Sequence, residues 1–180
     1  MKGRLLILIT LFIALFCWGC TEDKDDESTV IDQQYPDQEI WNSNITLTKD
    51  GRKRAVVHSG HLTKNNDQAF VYMDTDVAVD FYDKDERHLS HLTSRTAIIN
   101  ENTNDLTARG NVVVVSDSGF TLFTEELRWD HRRERIISDV FVTFVTPEDS
   151  LTGIGFESQS DLKNWVIFKP SGVTNRELKY

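Results

Sequence analysis

Short apolar runs of β-branched and aromatic residues recur through residues 40–173, and polar clusters of Asn, Asp, Gly and Ser separate them. Runs of this length at regular spacing are typical of an all-β sandwich, barrel or roll. No segment in this range shows the apolar period of an amphipathic helix. The pattern therefore predicts one all-β domain.

Turn sequences such as Ser116–Gly119 lie between several of the runs, so we expect neighbouring strands to pair as hairpins. The candidate strands are Ile45–Thr48, Arg54–Leu62, Phe70–Met73, Val77–Tyr82, Leu89–Leu92, Thr96–Asn100, Leu106–Ser116, Phe120–Thr124, Leu127–Asp130, Arg135–Thr146, Gly155–Ser158 and Trp165–Phe168.

The strand predicted at Leu106–Ser116 is apolar on both sides along part of its length. Val112 and Val114 lie on one side, and Val113 and Val115 lie on the other. Alternate side chains of a strand point to opposite faces of the sheet. The sequence therefore predicts either a two-sided core or a groove that binds lipid.

A weak internal repeat relates Ser94–Val114 to Thr124–Phe144 with an offset of about thirty residues. Val112 matches Val142 in this alignment, and Val114 matches Phe144. The unit is a strand, a tight turn and a returning strand. Because neither strand buries its apolar side without the next unit, stacked units predict a continuous apolar wall.

Residues 1–19 have the features of a lipoprotein-type signal peptide. Lys2 and Arg4 precede an uncharged apolar run that is shorter than the ~20 residues needed to span a bilayer. Gly19 and Cys20 resemble the end of a bacterial lipobox, which makes Cys20 the expected lipidated first residue of the mature chain. An uncleaved membrane anchor and a cytosolic apolar N-terminus are the alternatives.

Residues 20–39 contain many acids and few apolar residues, which indicates a flexible tether rather than a core element. The whole chain has a formal net charge of −9, and loss of Lys2 and Arg4 with the signal makes it more negative. This charge argues against nucleic acid as a partner and against electrostatic adhesion to anionic membranes. The two cysteines, Cys17 and Cys20, both precede the domain, so no disulfide is expected in it.

Three stretches carry a resemblance to a known family: TSRTAIINENTNDLTARGNVVV, GFTLFTEELRWDHRRERIISDVFVTF and LTGIGFESQSDLKNWVIFKPSG. They are similar to the periplasmic lipopolysaccharide-export family LptC, within the wider group of OstA-like β-jellyroll domains. The resemblance covers residues 40–173 and leaves residues 174–180 as a C-terminal tail. Family members often carry an N-terminal transmembrane helix, whereas this chain has the lipobox-like end.

The resemblance implies an open antiparallel β-jellyroll, in which a folded-over sheet of short hairpins surrounds an apolar groove. It implies a periplasmic transport component without enzymatic activity or cofactor, located at the inner membrane. The lipobox-like end predicts that an N-terminal lipid anchors it there, with the outer membrane as the alternative. Such a protein takes lipopolysaccharide from the LptBFG transporter and passes it to LptA, with the acyl chains of lipid A in the groove. The residues expected on the groove wall are Val112, Val114, Leu122, Phe141 and Phe144.

Two histidine pairs, His58 with His61 and His88 with His91, carry a competing interpretation, because closely spaced imidazoles can bind zinc. Residues i and i+3 of a regular strand point to opposite faces, so neither pair converges on a metal unless a bulge intervenes. We therefore expect no metal site and no catalytic residue. A metal-dependent hydrolase is one alternative, and a structural or adhesive β-sandwich lipoprotein with an ordinary packed core is the main one.

A cationic run lies between two of the predicted strands, and its members are Arg128, His131, Arg132, Arg133 and Arg135. We expect this run at a solvent-facing hairpin tip. The alternative is that it contacts the phosphates of lipid A or an acidic partner.

Overall fold

A computed structural model describes residues 35–171 of the chain. Its elements are β1 (Gln38–Lys49), β2 (Arg52–Lys64), β3 (Phe70–Tyr82), β4 (His88–Asn100), β5 (Asp105–Ser116), β6 (Thr121–Asp130), β7 (Arg135–Val145), β8 (Ser150–Gln159) and β9 (Val166–Ser171). They form one antiparallel sheet in which every strand pairs with its neighbours in the chain. The all-β prediction is confirmed, and the sheet has the topology expected of an open β-jellyroll.

Several sequence predictions fall outside the described residues. These are the signal peptide, the lipidation of Cys20, most of the tether and the C-terminal tail. The first strand begins at Gln38, inside the segment 20–39 that was assigned to the tether. Within residues 35–171, no helix is long and apolar enough to cross a membrane.

A crease crosses the sheet near the middle of successive strands. The pairing register shifts between Asp74 and Val77 of β3 and between Arg109 and Val112 of β5, and similar shifts occur in the other strands from β2 to β7. A β-bulge bends its strand and increases its local twist. Because the bulges of neighbouring strands lie side by side, the sheet bends along this row, and the two halves on either side of it face each other.

The crease explains why the sequence predicts more strands than the structure contains. Phe70–Met73 and Val77–Tyr82, predicted as separate strands, are the two halves of β3. Thr75 and Asp76 between them have positive φ and polar side chains, which are the features of a turn. The predicted pairs of strands within β4 and β6 are likewise halves of one bent strand.

The hairpin turns form two rows along the folded sheet, because successive turns lie at opposite ends of the strands. Rim A contains the β1–β2, β3–β4, β5–β6 and β7–β8 turns, and rim B contains the other four turns. Lys49 of rim A bonds to Glu134 of rim B, and Ser116 of rim A bonds to Asp161 of rim B. We call this line of contacts between the rims the seam, and it closes the sheet on itself.

The core lies between the two halves of the folded sheet. Along β5 the side chains at even positions point inwards, so that Leu106, Ala108, Val112 and Val114 are all buried. Burial of one such valine or leucine side chain stabilises the fold by about 1.5–3 kcal/mol. Across the interior, the rings of Phe81 in β3 and Trp129 in β6 lie 5.3 Å apart, although these strands are not neighbours in the sheet.

Candidate functional site

Four of the five residues predicted for the groove wall lie in the interior. Val112 is 1% exposed, and Val114, Leu122 and Phe144 have no exposed surface. Val114 and Leu122 are directly paired across β5 and β6, and Leu122 pairs with Phe144 across β6 and β7. The three side chains therefore form one continuous strip of apolar surface. Whether this strip binds lipid stays a prediction.

Phe144 is the centre of an aromatic cluster that closes one part of the interior. Its ring stacks on Phe120 at a centroid distance of 5.8 Å and lies 5.1 Å from Phe156. The ring of Trp165, in the β8–β9 turn, covers it at 5.0 Å. Aromatic pairs at such distances contribute beyond the area that they bury. In this structure the interior is filled by the chain's own side chains.

Phe141 lies on the other side of the sheet. Its side chain is 53% exposed, because the part of β7 that follows the bulge turns Val142 and Phe144 inwards and leaves Phe141 on the outer side. The interior position expected for Phe141 is thereby corrected. Together with Val113 and Phe123 it lines a shallow depression on the outer surface.

One carboxylate links the two rims at the β1 end of the seam. Glu134 Oε1 accepts hydrogen bonds from Lys49 Nζ at 3.1 Å and from Arg54 Nε at 3.0 Å. Partial burial would raise the pKa of Glu134, but these bonds outweigh it and hold the pKa below its ordinary value. The Arg54 side chain is only 7% exposed, and it also donates to the carbonyl of Asp83 at 3.0 Å. The guanidinium thus connects two turns of rim A with one turn of rim B.

The β8–β9 turn makes the second set of contacts across the seam. Ser90 Oγ donates to the carbonyl of Ser160 at 2.5 Å, and Ser116 Oγ donates to the carbonyl of Asp161 at 2.7 Å. Leu162, which follows, is fully buried in the interior. Since buried carbonyl groups need partners, these two serines satisfy a turn that would otherwise leave polar groups in an apolar interior.

A regular strand would place His58 and His61 on opposite faces of the sheet. Here a bulge lies between them, so both side chains are on the outer surface. His58 Nδ1 lies 3.3 Å from Asn44 Oδ1. His61 binds different partners, Glu39 through Nε2 at 2.8 Å and Asp74 through Nδ1 at 3.1 Å. The two imidazoles therefore belong to separate polar contacts.

His88 and His91 also share the outer surface, because the register shifts where β3 ends and β4 begins. Both approach Asp80 Oδ1, His88 at 3.2 Å and His91 at 2.7 Å. His88 reaches Asp117 with its other ring nitrogen. Among residues 35–171, no group of three or more His, Cys, Asp or Glu side chains is arranged to hold a metal ion.

The cationic run lies at the β6–β7 turn, but one member is not at the solvent. Arg133 is exposed and bonds to Glu157 at 2.7 Å, as a hairpin tip would suggest. His131 is only 8% exposed, and its Nδ1 atom is buried without a hydrogen-bond partner. Its ring packs against Trp129 in an edge contact at 5.1 Å. His131 is therefore part of the packing of rim B.

A creased sheet with an apolar interior and two rims that meet along a seam defines a β-jellyroll. The model of the lipopolysaccharide-assembly, LptC-related family matches residues 5–169, so the chain belongs to the LptC family. Membership places the chain in lipopolysaccharide transport, as a periplasmic component of the export system. The family is one of transport components and is not known as an enzyme family. No curated protein matches the chain.

Proposed function

We propose that this chain is a membrane-tethered carrier that receives lipopolysaccharide from an LptBFG-type transporter and passes it to an LptA-like bridge protein. Its membrane anchor is the lipid on Cys20, which holds the domain at the inner membrane. The acyl chains of lipid A lie along the wall that contains Val112, Val114, Leu122 and Phe144, and the sugars stay outside. The chain contributes binding and guidance, and the transporter's ATP hydrolysis supplies the energy.

The observation that carries this proposal is the continuity of the apolar interior. Buried apolar side chains come from every strand from β1 to β8 and form one cluster. Eight strands at the usual spacing give an interior roughly 35 Å long. Among the described residues, the buried side chains with an ionisable group are Arg54 and His131, and both lie near the rims. Acyl chains thus meet an apolar path along the whole roll.

The two ends of the sheet support the proposed hand-over. The sheet ends in β1 on one side and β9 on the other, and each presents an unpaired backbone edge among the described strands. Such edges can pair with a strand of another chain and extend the sheet. We assign β1 to the transporter side and β9 to the bridge protein, since β1 follows the tether.

A matched pair of phenylalanines tests the proposal. A photo-crosslinking phenylalanine analogue replaces either Phe144, which is fully buried, or Phe141, which is 53% exposed in the same strand. In cells we expect a lipopolysaccharide adduct at position 144 and none at position 141, because both replacements are nearly isosteric but only one faces the interior. We also expect the adduct at 144 to require ATP hydrolysis by the transporter. Failure to capture lipopolysaccharide at 144 and at Val112, Val114 and Leu122 would contradict the proposed function.

A further inference from the structure

We propose that acyl chains enter the interior by parting the seam, and that Glu134 is the residue that holds the seam shut. This inference rests on the proposed function, because it specifies how a closed interior becomes available to lipid. It assigns a role in positioning the rims to a residue that lies outside the groove wall.

The interior has to open before lipid binds there. Leu122, Phe144 and Phe156 have no exposed surface, and each contacts other apolar side chains of the chain. Close-packed interiors leave few voids larger than a water molecule. An acyl chain therefore replaces contacts that the protein makes with itself, and it needs a line along which the walls can separate.

The seam is the weakest such line. Neighbouring strands share long antiparallel ladders, for example from Ser90 to Asn100 in the pairing of β4 with β5. Across the seam the rims are joined by side-chain contacts, such as Ser116 with the carbonyl of Asp161. Parting the rims leaves every ladder intact, whereas separating two strands breaks a row of backbone hydrogen bonds.

Glu134 concentrates the ionic part of these contacts on a single oxygen. Its Oε1 atom accepts from Lys49 and Arg54, and Lys49 Nζ also donates to the carbonyl of Arg132 at 3.1 Å. Glu134 has a φ of 54°, in the left-handed region that non-glycine residues seldom adopt. The turn therefore aims this carboxylate at rim A at a conformational cost.

Glu157 provides a matched control. Its Oε1 atom also accepts from two cations, Arg133 at 2.7 Å and Arg135 at 3.0 Å. These three residues belong to the β6–β7 turn and to the adjacent strands β7 and β8, so their bonds do not cross the seam. Glu157→Gln removes as many ion pairs as Glu134→Gln without loosening the rims.

The experiment compares full-length wild-type chain, Glu134→Gln and Glu157→Gln in membrane nanodiscs. The first measurement is the initial rate at which each captures fluorophore-labelled lipopolysaccharide. We expect a rise of about 5- to 30-fold for Glu134→Gln, the factor that corresponds to loss of one such interaction, and less than about 2-fold for Glu157→Gln. The second measurement is hydrogen exchange in residues 49–54 and 131–134, which we expect to become faster only in Glu134→Gln.

A second pair of variants, which changes less of the seam, tests the same role if Glu134→Gln does not fold. Lys49→Gln removes one cation from the seam, and Lys64→Gln removes a cation that bonds to Glu101 within rim B at 2.8 Å. We expect faster capture and faster exchange for Lys49→Gln and not for Lys64→Gln.

The outcomes separate the inference from the function on which it rests. Equal capture rates for Glu134→Gln and Glu157→Gln, with wild-type chain binding lipopolysaccharide, would overturn the role of Glu134 and leave the transport function standing. Absence of capture by wild-type chain and all variants would overturn the proposed function. Unchanged exchange at both rims in Glu134→Gln and Lys49→Gln would overturn the seam contact itself.

Discussion

Arg54 Nε donates to Glu134 Oε1 at 3.0 Å, although 80 residues separate the two along the chain. Arg54 lies near the start of β2, and Glu134 lies in the β6–β7 turn. The pair meets because the crease folds the sheet and brings the two rims together. The same contact therefore reports both that the jellyroll has formed and that it is closed.

Replacing Arg54 tests how much this contact stabilises the fold. Arg54→Met keeps the apolar stem but removes the bonds to Glu134 and to the carbonyl of Asp83. We expect the free energy of unfolding to fall by about 1–3 kcal/mol, since the Asp83 carbonyl loses its bond to Arg54 and the partly buried Glu134 carboxylate loses one of its two donors. Urea denaturation measures the change. Arg52→Met, at a side chain that is 58% exposed, serves as control and should cost less than about 1 kcal/mol; equal losses would contradict the assignment.

Two neighbouring residues of β6 test which face of the sheet is the core. Leu122 has no exposed surface, whereas Phe123 is 43% exposed on the outer side. Leu122→Ala should lower the free energy of unfolding by about 2–5 kcal/mol, because it leaves a cavity in a packed interior. Phe123→Ala should cost about 1 kcal/mol or less, although it removes more atoms. A larger loss at Phe123 than at Leu122, measured by thermal or urea unfolding, would contradict the placement of the interior.

The sequence allowed the inward face of most strands to be predicted, because alternation and the thirty-residue repeat both place Val112 with Val142 and Val114 with Phe144 on one wall. All four are buried. The interior position predicted for Phe141 is wrong, and the same alternation counted from Phe144 places this residue on the outer side.

Other features depend on contacts that no local pattern reveals. Thr75 and Asp76 have the residue types of a turn, and only the continued pairing of β3 with β4 shows that they lie in a bend within one strand. The pairing of Arg54 with Glu134 requires the rims to meet, so spacing along the chain gives no signal for it. Sequence patterns report which face a residue occupies, but they do not report which distant turn approaches it.

His61 should make the β1 edge more stable at acidic pH. Its ring nitrogens face the carboxylates of Glu39 in β1 and Asp74 in β3, and a carboxylate only accepts, so both nitrogens donate in the protonated form. The hydrogen bond to Glu39 is the largest cause that raises the pKa of His61, and the hydrogen bond to Asp74 is the next largest. A raised pKa in the folded state gives stability that is present below the ordinary histidine pKa and is lost as the pH rises through the raised value.

Hydrogen exchange of residues 38–49, corrected for intrinsic rates, measures this effect. We expect slower exchange at about pH 5.5 than at about pH 8. His61→Gln should remove the difference, because glutamine does not titrate. His58→Gln should keep it, since His58 contacts the neutral side chain of Asn44. The same pH response in wild type and His61→Gln would refute the role of His61.

Gly153 should be essential for the last strand. A Cβ atom at this position would overlap Ile167 Cγ2 and lie 2.6 Å from the carbonyl oxygen of Lys169, so β9 would have to move away from β8. We expect Gly153→Ala to detach β9 and to speed proteolysis of residues 166–171, while the interior stays folded. Gly51→Ala is the control: a Cβ there meets nothing within 4 Å, and its positive φ should cost about 1 kcal/mol. Protection of β9 in Gly153→Ala equal to that in wild type would contradict this prediction.

His131 should respond to pH in the opposite sense to His61. Burial is the main cause that lowers its pKa, and the charge of Lys49 adds to the effect. The unfolded chain then binds more protons than the folded chain below the ordinary histidine pKa, so stability is lost as the pH falls into this range.

His131→Phe keeps an aromatic ring against Trp129 and removes both the titration and the unpaired Nδ1 atom. We expect it to raise the free energy of unfolding by about 1 kcal/mol near pH 8, from the removal of the unpaired nitrogen, and by more near pH 5. Urea denaturation at both pH values measures the two gains, and a gain that is larger at the higher pH would show that His131 is not held neutral by its burial.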